Sequence, residues 1–509
     1  MFAKVSSLGL FGLNAFPVDV EIDISRALPQ FDIVGLPDTV VRESRERIRA
    51  ALRACDIAFP VAKVMVNLAP ADTKKSGSVH DMAIFMAILE AMRMTDVKTE
   101  GCAFIGELSL NGDIRGINGV LPMVILAREK GLKSVFVPYA NSREASVIKG
   151  IDVYAVKNVT ELISHFRNEK LLTPVENYIP PQTSYENILD FADVRGQKSA
   201  KKALEIAAAG GHNAILIGSP GSGKSMLSKR MPSILPPLTF EEALETSKIH
   251  SITGLLSAEQ PIITERPFRS PHHTISSAGL VGGGSVPKPG EISIAHNGLL
   301  FLDELAEFDR RTLEIMRQPL EDRKITIVRA AGSVTYPCSI MLIAAMNPCP
   351  CGYYGHPTKK CICGMKKVSS YLSKISGPLL DRFDLHIEVA PVEFKDLSSK
   401  ANEEPSSEIR KRVVAAREMQ NKRFKGTSIT CNAQITPDKL RQFCPMDDSA
   451  EKLFQSIFDR LGLSARAYDR ILKVARTIAD LNGDEIIKKQ YIAAAAQYRS
   501  LDRKYWSQE

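Results

Sequence analysis

No run of about 18 apolar residues occurs in the chain, which excludes a membrane-spanning helix. There is no tandem repeat and no low-complexity tract, so solenoid and compositionally biased architectures are set aside. A secretion leader is not expected. The apolar start from Met1 to Leu13 lacks a sustained core and a cleavage site and runs into Asp19, Glu21 and Asp23; it reads as a first strand and turn. Nine cysteines without a leader imply a reducing, cytoplasmic setting and not a disulfide framework. The net charge of +8 over 509 residues is only mildly basic. It fits an ordinary surface or a polyanion partner, and bulk charge does not decide between them. What the chain does have is 44% hydrophobic and 24% charged residues, enough for large cores. Its length suits roughly two to four domains.

Residues 1–165 read as one mixed α+β domain. Alternation over Val18–Ile24 predicts a half-buried strand, and Val64–Leu68 and Ser134–Pro138 predict two more. Val40–Cys55 has the charged, amphipathic pattern of a surface helix, and His80–Met94 that of a buried one. Residues 166–189 carry Pro174, Pro180 and Pro181 among polar residues, a linker composition. A second unit then runs over 190–393. After the polar stretch Ser398–Ser407, residues 394–509 read as helical, over Ile409–Lys422, Ala450–Leu461, Ala465–Leu481 and Asp484–Leu501.

The second unit holds the clearest chemistry. The apolar run Ala214–Ile217 leads into Gly218, Ser219, Pro220, Gly221, Ser222, Gly223, Lys224 and Ser225. A buried strand, a glycine loop and a helix start are what a phosphate-binding loop needs. Glycines let backbone N–H groups close around phosphates, and the helix N-terminus adds partial positive charge. Lys224 is expected to reach the β- and γ-phosphates of ATP, and Ser225 to hold Mg²⁺. Downstream, Leu299–Leu302 ends in Asp303 and Glu304. Carboxylates at the end of a buried parallel strand suit Mg²⁺ coordination by Asp303 and polarisation of water by Glu304; the plainer alternative is a solvated acidic turn. A further buried strand, Ile340–Met346, ends in Asn347, whose amide orients water or phosphate without adding charge. Arg382 is a candidate arginine finger, or else a surface ion pair with Asp381 or Asp384. Arg466 opens a later helix and is a candidate for the same phosphate.

These parts resemble AAA+ ATPases, and specifically the magnesium-chelatase-like ComM/YifB family. The resemblance spans essentially the whole chain. It is carried by Gly35–Asp38 with Val41–Arg47, Val66–Asp72, Arg269–Thr274, Pro287–Glu291, Phe301–Leu305, Ala345–Gly352 and Ala475–Asp480. It implies a Walker A lysine and serine at Lys224 and Ser225 and Walker B acids at Asp303 and Glu304. It further implies sensor 1 at Asn347, an arginine finger at Arg382 and sensor 2 at Arg466, with Arg470 one turn away. A homo-hexameric ring is implied, with ATP sites at subunit interfaces and DNA gripped in the pore, serving branch migration in recombination or natural transformation. The implied fold class is α/β, with a Lon-protease-like α+β N-terminal domain, a parallel-sheet AAA+ core and a C-terminal helical lid. Proteolysis is not expected, because the aligned serine and lysine positions hold Val79 and Leu121. Lys75, Ser76 and Ser78 lie nearby in sequence.

Two inserts are candidates for DNA. Lys324–Arg329, a turn over Ala330–Ser333, and Val334–Tyr336 predict a hairpin, similar to the presensor hairpin of MCM-type helicases, with Arg329 near its tip. Gly279–Gly290 predicts a flexible loop carrying Lys288. Such contacts to phosphate are sequence-independent; the alternative is that both inserts serve subunit packing. Finally, Cys349 and Cys351 are followed after nine residues by Cys361 and Cys363, a spacing suited to tetrahedral Zn²⁺. The alternatives are free thiols or an iron–sulfur cluster. Rival readings are a magnesium-chelatase motor subunit and an ATP-dependent unfoldase or protease.

Overall fold

The computed structural model describes residues 1–181, 189–284, 286–330, 332–391, 403–499, 501, 505 and 506. Residues 182–188 of the expected linker and residues 392–402, which include the first half of the polar stretch Ser398–Ser407, lie outside the described residues. The chain forms two compact units. One comprises Met1–Pro181, Phe240–Thr264 and Val328–Tyr336, and the other Gln182–Thr239, Glu265–Ile327 and Pro337–Glu509. Two short segments from the middle of the sequence therefore fold with the N-terminal residues.

The first unit is built on a seven-stranded mixed sheet: β1 (Phe2–Phe11), β2 (Asn14–Ser25), β3 (Gln30–Val34), β4 (Lys63–Ala69), β5 (Cys102–Phe104), β6 (Ser134–Pro138) and β7 (Asp152–Val156), in the order β3-β4-β2-β1-β5-β6-β7. Strands β1 and β2 form an antiparallel ribbon with Phe2 opposite Asp23 and Phe11 opposite Asn14. In β2 the alternation expected from sequence buries Val18, Val20, Ile22 and Ile24. The helix Thr39–Ala54 turns Val41, Ile48, Ala51 and Leu52 inward, and the Asp38 carboxylate caps it by accepting from the Val41 N–H. The helix Asp81–Ala91 is buried almost all round, which explains its weak amphipathicity.

The segment Phe240–Thr264 joins this unit through Ser251, which hydrogen-bonds the buried carboxyl of Glu144. Leu121 lies in the buried helix Val120–Glu129, and its N–H donates to Glu144 at 3.0 Å. The nearby polar side chains are engaged separately: Lys75 donates to the Pro70 carbonyl and Ser78 to Glu107.

The second unit has a five-stranded, all-parallel sheet of β8 (Ala214–Gly218), β9 (Phe268–Arg269), β10 (Leu299–Leu302), β11 (Met341–Met346) and β12 (Leu385–Val389), in the order β9-β10-β11-β8-β12. Strands β8, β10 and β11 are buried along their whole length, as a sheet covered on both faces requires. Helices Ser406–Arg423, Asp448–Leu461, Ala465–Leu481 and Lys489–Gln497 share one apolar core with this sheet and the helix Lys198–Gly210. The last of them starts five residues later than Asp484, where the sequence places it. Backbone groups upstream are already committed: Ile487 donates to the Pro445 carbonyl, and the Asp484 and Glu485 carbonyls accept from the buried Arg476 guanidinium.

Candidate nucleotide and metal sites

Strand β11 is central and is flanked by β10 and β8, so the loops leaving the C-terminal ends of these three parallel strands converge. Gly221 and Gly223 sit at φ of 77° and 93°, a left-handed backbone that disfavours side chains. Gly218 is needed for a different reason: a Cβ there would lie 2.8 Å from Ser222 Oγ. The loop thus closes tightly before the helix Lys224–Arg230 begins.

Lys224 Nζ donates to the Gly218 carbonyl at 2.8 Å, the Ser219 carbonyl at 2.9 Å and the Asn347 amide oxygen at 3.2 Å. Burial pushes its ammonium down to about 8, against the charges of Asp303 and Glu304, which act to raise it. A desolvated ammonium held by neutral oxygens calls for an anion. Ser225 Oγ donates to Asp303 Oδ2 at 2.7 Å, bringing together the hydroxyl and the carboxylate that suit a hard divalent cation. The buried Ser222 hydroxyl has no hydrogen-bond partner in the protein. The donor set therefore fits a magnesium–nucleotide phosphate group.

Glu304 follows Asp303 with a left-handed backbone, φ 52° and ψ 48°, unusual for a side chain of this kind. Its carboxylate is exposed and lies 3.7 Å from His273 Nδ1. His273 comes from the loop after β9, beside His272, whose ring centroid is 4.1 Å away.

A second group of charges gathers around a cleft of about 370 Å³, lined among others by Glu321, Arg323, Arg382, Arg466, Arg470 and Lys473. None of its lining residues belongs to the glycine loop. Arg382 does not pair with Asp381 or Asp384 as the bland alternative had it; its guanidinium binds Glu321, and its buried Nε has no partner. Arg466 is exposed, 3.9 Å from Asp381. Arg470 is largely buried, donating to the Phe383 carbonyl at 3.2 Å and lying 4.0 Å from Asp384. Asp384 also meets His212 Nδ1 at 3.2 Å. Burial alone raises the Asp384 carboxyl, but the His212 hydrogen bond and the charges of Arg470 and Lys473 outweigh it and hold the group below the usual carboxylate range.

The four clustered cysteines meet. Their sulfurs all lie within 4.8 Å of one another, with 3.4 Å between Cys349 and Cys351, 3.7 Å between Cys349 and Cys361, and 3.6 Å between Cys351 and Cys361. A tetrahedral Zn²⁺ with bonds of about 2.3 Å spaces its sulfurs about 3.8 Å apart, whereas a disulfide needs about 2.05 Å. Cys363 completes the set, and its N–H donates to Cys361 Sγ at 3.4 Å.

Arg329 is exposed at the end of the strand Lys324–Arg329, which returns through Gly332–Pro337. On the returning strand Val334 faces Gly12 of the first unit. Lys288 is exposed on a short antiparallel ribbon opposite Gly283.

Residues 190–397 match the family described as magnesium chelatase, subunit ChlI; residues 20–141 match subunit ChlI of Mg-chelatase, and residues 403–499 its C-terminal part. YifB of Escherichia coli K12 is 40% identical over 504 residues, covering 98% of this chain and 97% of that protein. The competence protein ComM of Haemophilus influenzae Rd is 39% identical over 508 residues, covering 98% of each. The chain belongs to the ComM/YifB family. A weaker likeness, 29% over 183 residues, links it to Lon protease 2 of Bacillus subtilis, covering 33% of this chain and 30% of that protein.

Within this magnesium-chelatase-like AAA+ family member, residue order alone assigned no role to His273 or His212, and it offered Asp384 to Arg382, whereas Asp384 meets His212 and Arg470. His273 lies in the quoted Arg269–Thr274 motif but has no recognisable spacing to Glu304. His212 and Asp384 stand just before β8 and β12, and only the sheet order brings them together. No described helix is long and apolar enough to cross a membrane.

Proposed function

We propose that the chain is an ATP-hydrolysing ring motor acting on DNA, a branch-migration helicase of homologous recombination or natural transformation. The observation that carries the ATPase reading is the convergence of Lys224, Ser225, Asp303 and Asn347 at the ends of three adjacent parallel strands. In this reading Gly218 to Ser225 cradle the phosphates, and Ser225 with Asp303 holds Mg²⁺. That ion, when bound, neutralises phosphate charge. Glu304 polarises the attacking water, and Lys224 and Asn347 address the γ-phosphate.

Arg382 and Arg466 line a cleft that contains none of the glycine loop, which supports their acting on a neighbouring subunit's nucleotide in a homo-hexamer. DNA is the proposed track on three grounds: near-full-length similarity to a competence protein, and the exposed cations Arg329 and Lys288. In the structural role we propose for the cysteine cluster, Cys349, Cys351, Cys361 and Cys363 hold Zn²⁺. By domain, residues 1–165 serve assembly or DNA handling without proteolysis, residues 190–393 form the ATPase core and residues 394–509 the lid.

A magnesium-chelatase motor subunit is the second reading, favoured by the family descriptions that cover all three regions. ATPase rates with and without branched DNA separate the two. Stimulation by branched DNA is expected. Stimulation only by chelatase partner subunits, or only by unfolded protein, overturns the DNA reading.

A further inference from the structure

The segment that carries the first cysteine pair touches the glycine loop and its following lysine at two points. Strand β11 runs directly into Asn347, and Cys349, Cys351 and Gly352 follow within five residues. At one end of this segment Asn347 Oδ1 accepts from Lys224 Nζ at 3.2 Å. At the other, Gly352 is buried against Pro220, the third residue of the glycine loop: a Cβ at position 352 would lie 2.6 Å from Pro220 Cγ, inside the ring's van der Waals surface. Gly352 also has φ 82°, a conformation that a side chain disfavours. Pro220 is otherwise exposed, so this packing is a principal restraint on the tip of the loop. Cys349 and Cys351 stand between the two contacts.

The polar segment Tyr353–Lys360 that joins the two cysteine pairs is at most half-buried and builds no apolar core of its own. Four thiolate bonds to one ion are the strongest restraint available to it.

We infer that metal bound by Cys349, Cys351, Cys361 and Cys363 positions the glycine loop for nucleotide, so that metal occupancy and nucleotide affinity are coupled. This rests on the zinc site proposed above. The coupling acts through Asn347 on Lys224 and through Gly352 on Pro220. It is reciprocal by thermodynamic linkage: the ion tightens nucleotide binding, and nucleotide retards loss of the ion. Gly352 is a positioning residue, since it touches the loop and not the phosphates.

The test uses the full chain as purified. Zinc content is measured by elemental analysis and affinity with a fluorescent ADP analogue in Mg²⁺, before and after extraction of the ion with a thiol-reactive agent and chelator, and again after zinc is restored. Affinity is expected to fall about tenfold on extraction and to recover on reloading. Saturating MgADP is expected to slow extraction by a similar factor. Gly352→Ala is expected to keep its zinc yet bind the analogue about tenfold more weakly, which separates the contact from folding of the knuckle. Zinc present, with affinity unchanged by extraction and by Gly352→Ala, overturns the coupling and leaves the metal site standing. A folded, metal-free protein that takes up no zinc overturns the metal site itself. Should extraction unfold the chain, MgADP protection and the Gly352→Ala affinity decide the matter.

Discussion

The amide oxygen of Asn347, at the end of β11, accepts a hydrogen bond from the Lys224 ammonium, 3.2 Å away at the end of the neighbouring strand's loop. An amide can hold this lysine without cancelling its charge. Asn347→Asp would cancel it and would repel phosphate. Nucleotide affinity is expected to drop by at least about tenfold. Asn347→Ala keeps the charge but releases one hold on Lys224, so binding should weaken only several-fold while turnover falls roughly 10–100-fold. Equilibrium binding and steady-state kinetics on both variants check this split.

If Lys224 meets phosphate as proposed, nucleotide binding is pH-dependent. Burial pushes its ammonium down to about 8 in the nucleotide-free chain. Phosphate favours the charged form, so binding raises the pKa again. Below pH 8 the lysine is already charged and affinity is expected to be flat on its account. Above pH 8 a proton must be taken up, and affinity falls by up to about tenfold per pH unit. Calorimetric titration at pH 8.5 in buffers of different ionisation enthalpy should register that uptake. Lys224→Arg, charged throughout, should lose it.

His273 approaches the Glu304 carboxylate to 3.7 Å. Glu304 is exposed and has a left-handed backbone, so little else fixes where its side chain points. In the proposed mechanism, removing the imidazole should misalign Glu304, the water-polarising group, without touching the glycine loop. For His273→Ala we expect a several-fold fall in kcat with KM for ATP unchanged. A raised KM at constant kcat would instead assign His273 to binding.

Asp384 ties the sheet to the helix Ala465–Leu481 through His212, Arg470 and Lys473. Asp384→Ala leaves these groups without their shared carboxylate, and a loss of roughly 2–3 kcal/mol is expected. Asp384→Asn retains a hydrogen-bond acceptor and should lose less. Thermal melts of the two variants rank them.

Much of this was legible in the residue order. The glycine loop announces itself because phosphate binding demands glycines, a lysine and a helix start in one contiguous stretch. The acidic end of Leu299–Leu302 follows from the same local logic. The cysteine pairs were legible because ligand spacing is local too. Groups formed by topology were not. His212 and Asp384 lie 172 positions apart, and adjacency of β8 and β12 alone makes them neighbours. The segments Phe240–Thr264 and Val328–Tyr336 fold with the N-terminal residues, a relation that no periodicity encodes. The late start of the helix Lys489–Gln497 was hidden because the buried Arg476 claims the preceding carbonyls.

The central claim is that Arg382 completes a nucleotide site built on another copy of the chain. Mixing Lys224→Ala chains with Arg382→Ala chains tests it most directly. Each variant alone should be inactive as an ATPase. If subunits exchange freely in a head-to-tail ring, about one interface in four in an equal mixture joins an intact glycine loop to an intact arginine, and roughly a quarter of the parental rate should return. A mixture that stays inactive although the two variants co-assemble, or an Arg382→Ala chain that hydrolyses ATP at the parental rate by itself, would contradict the account.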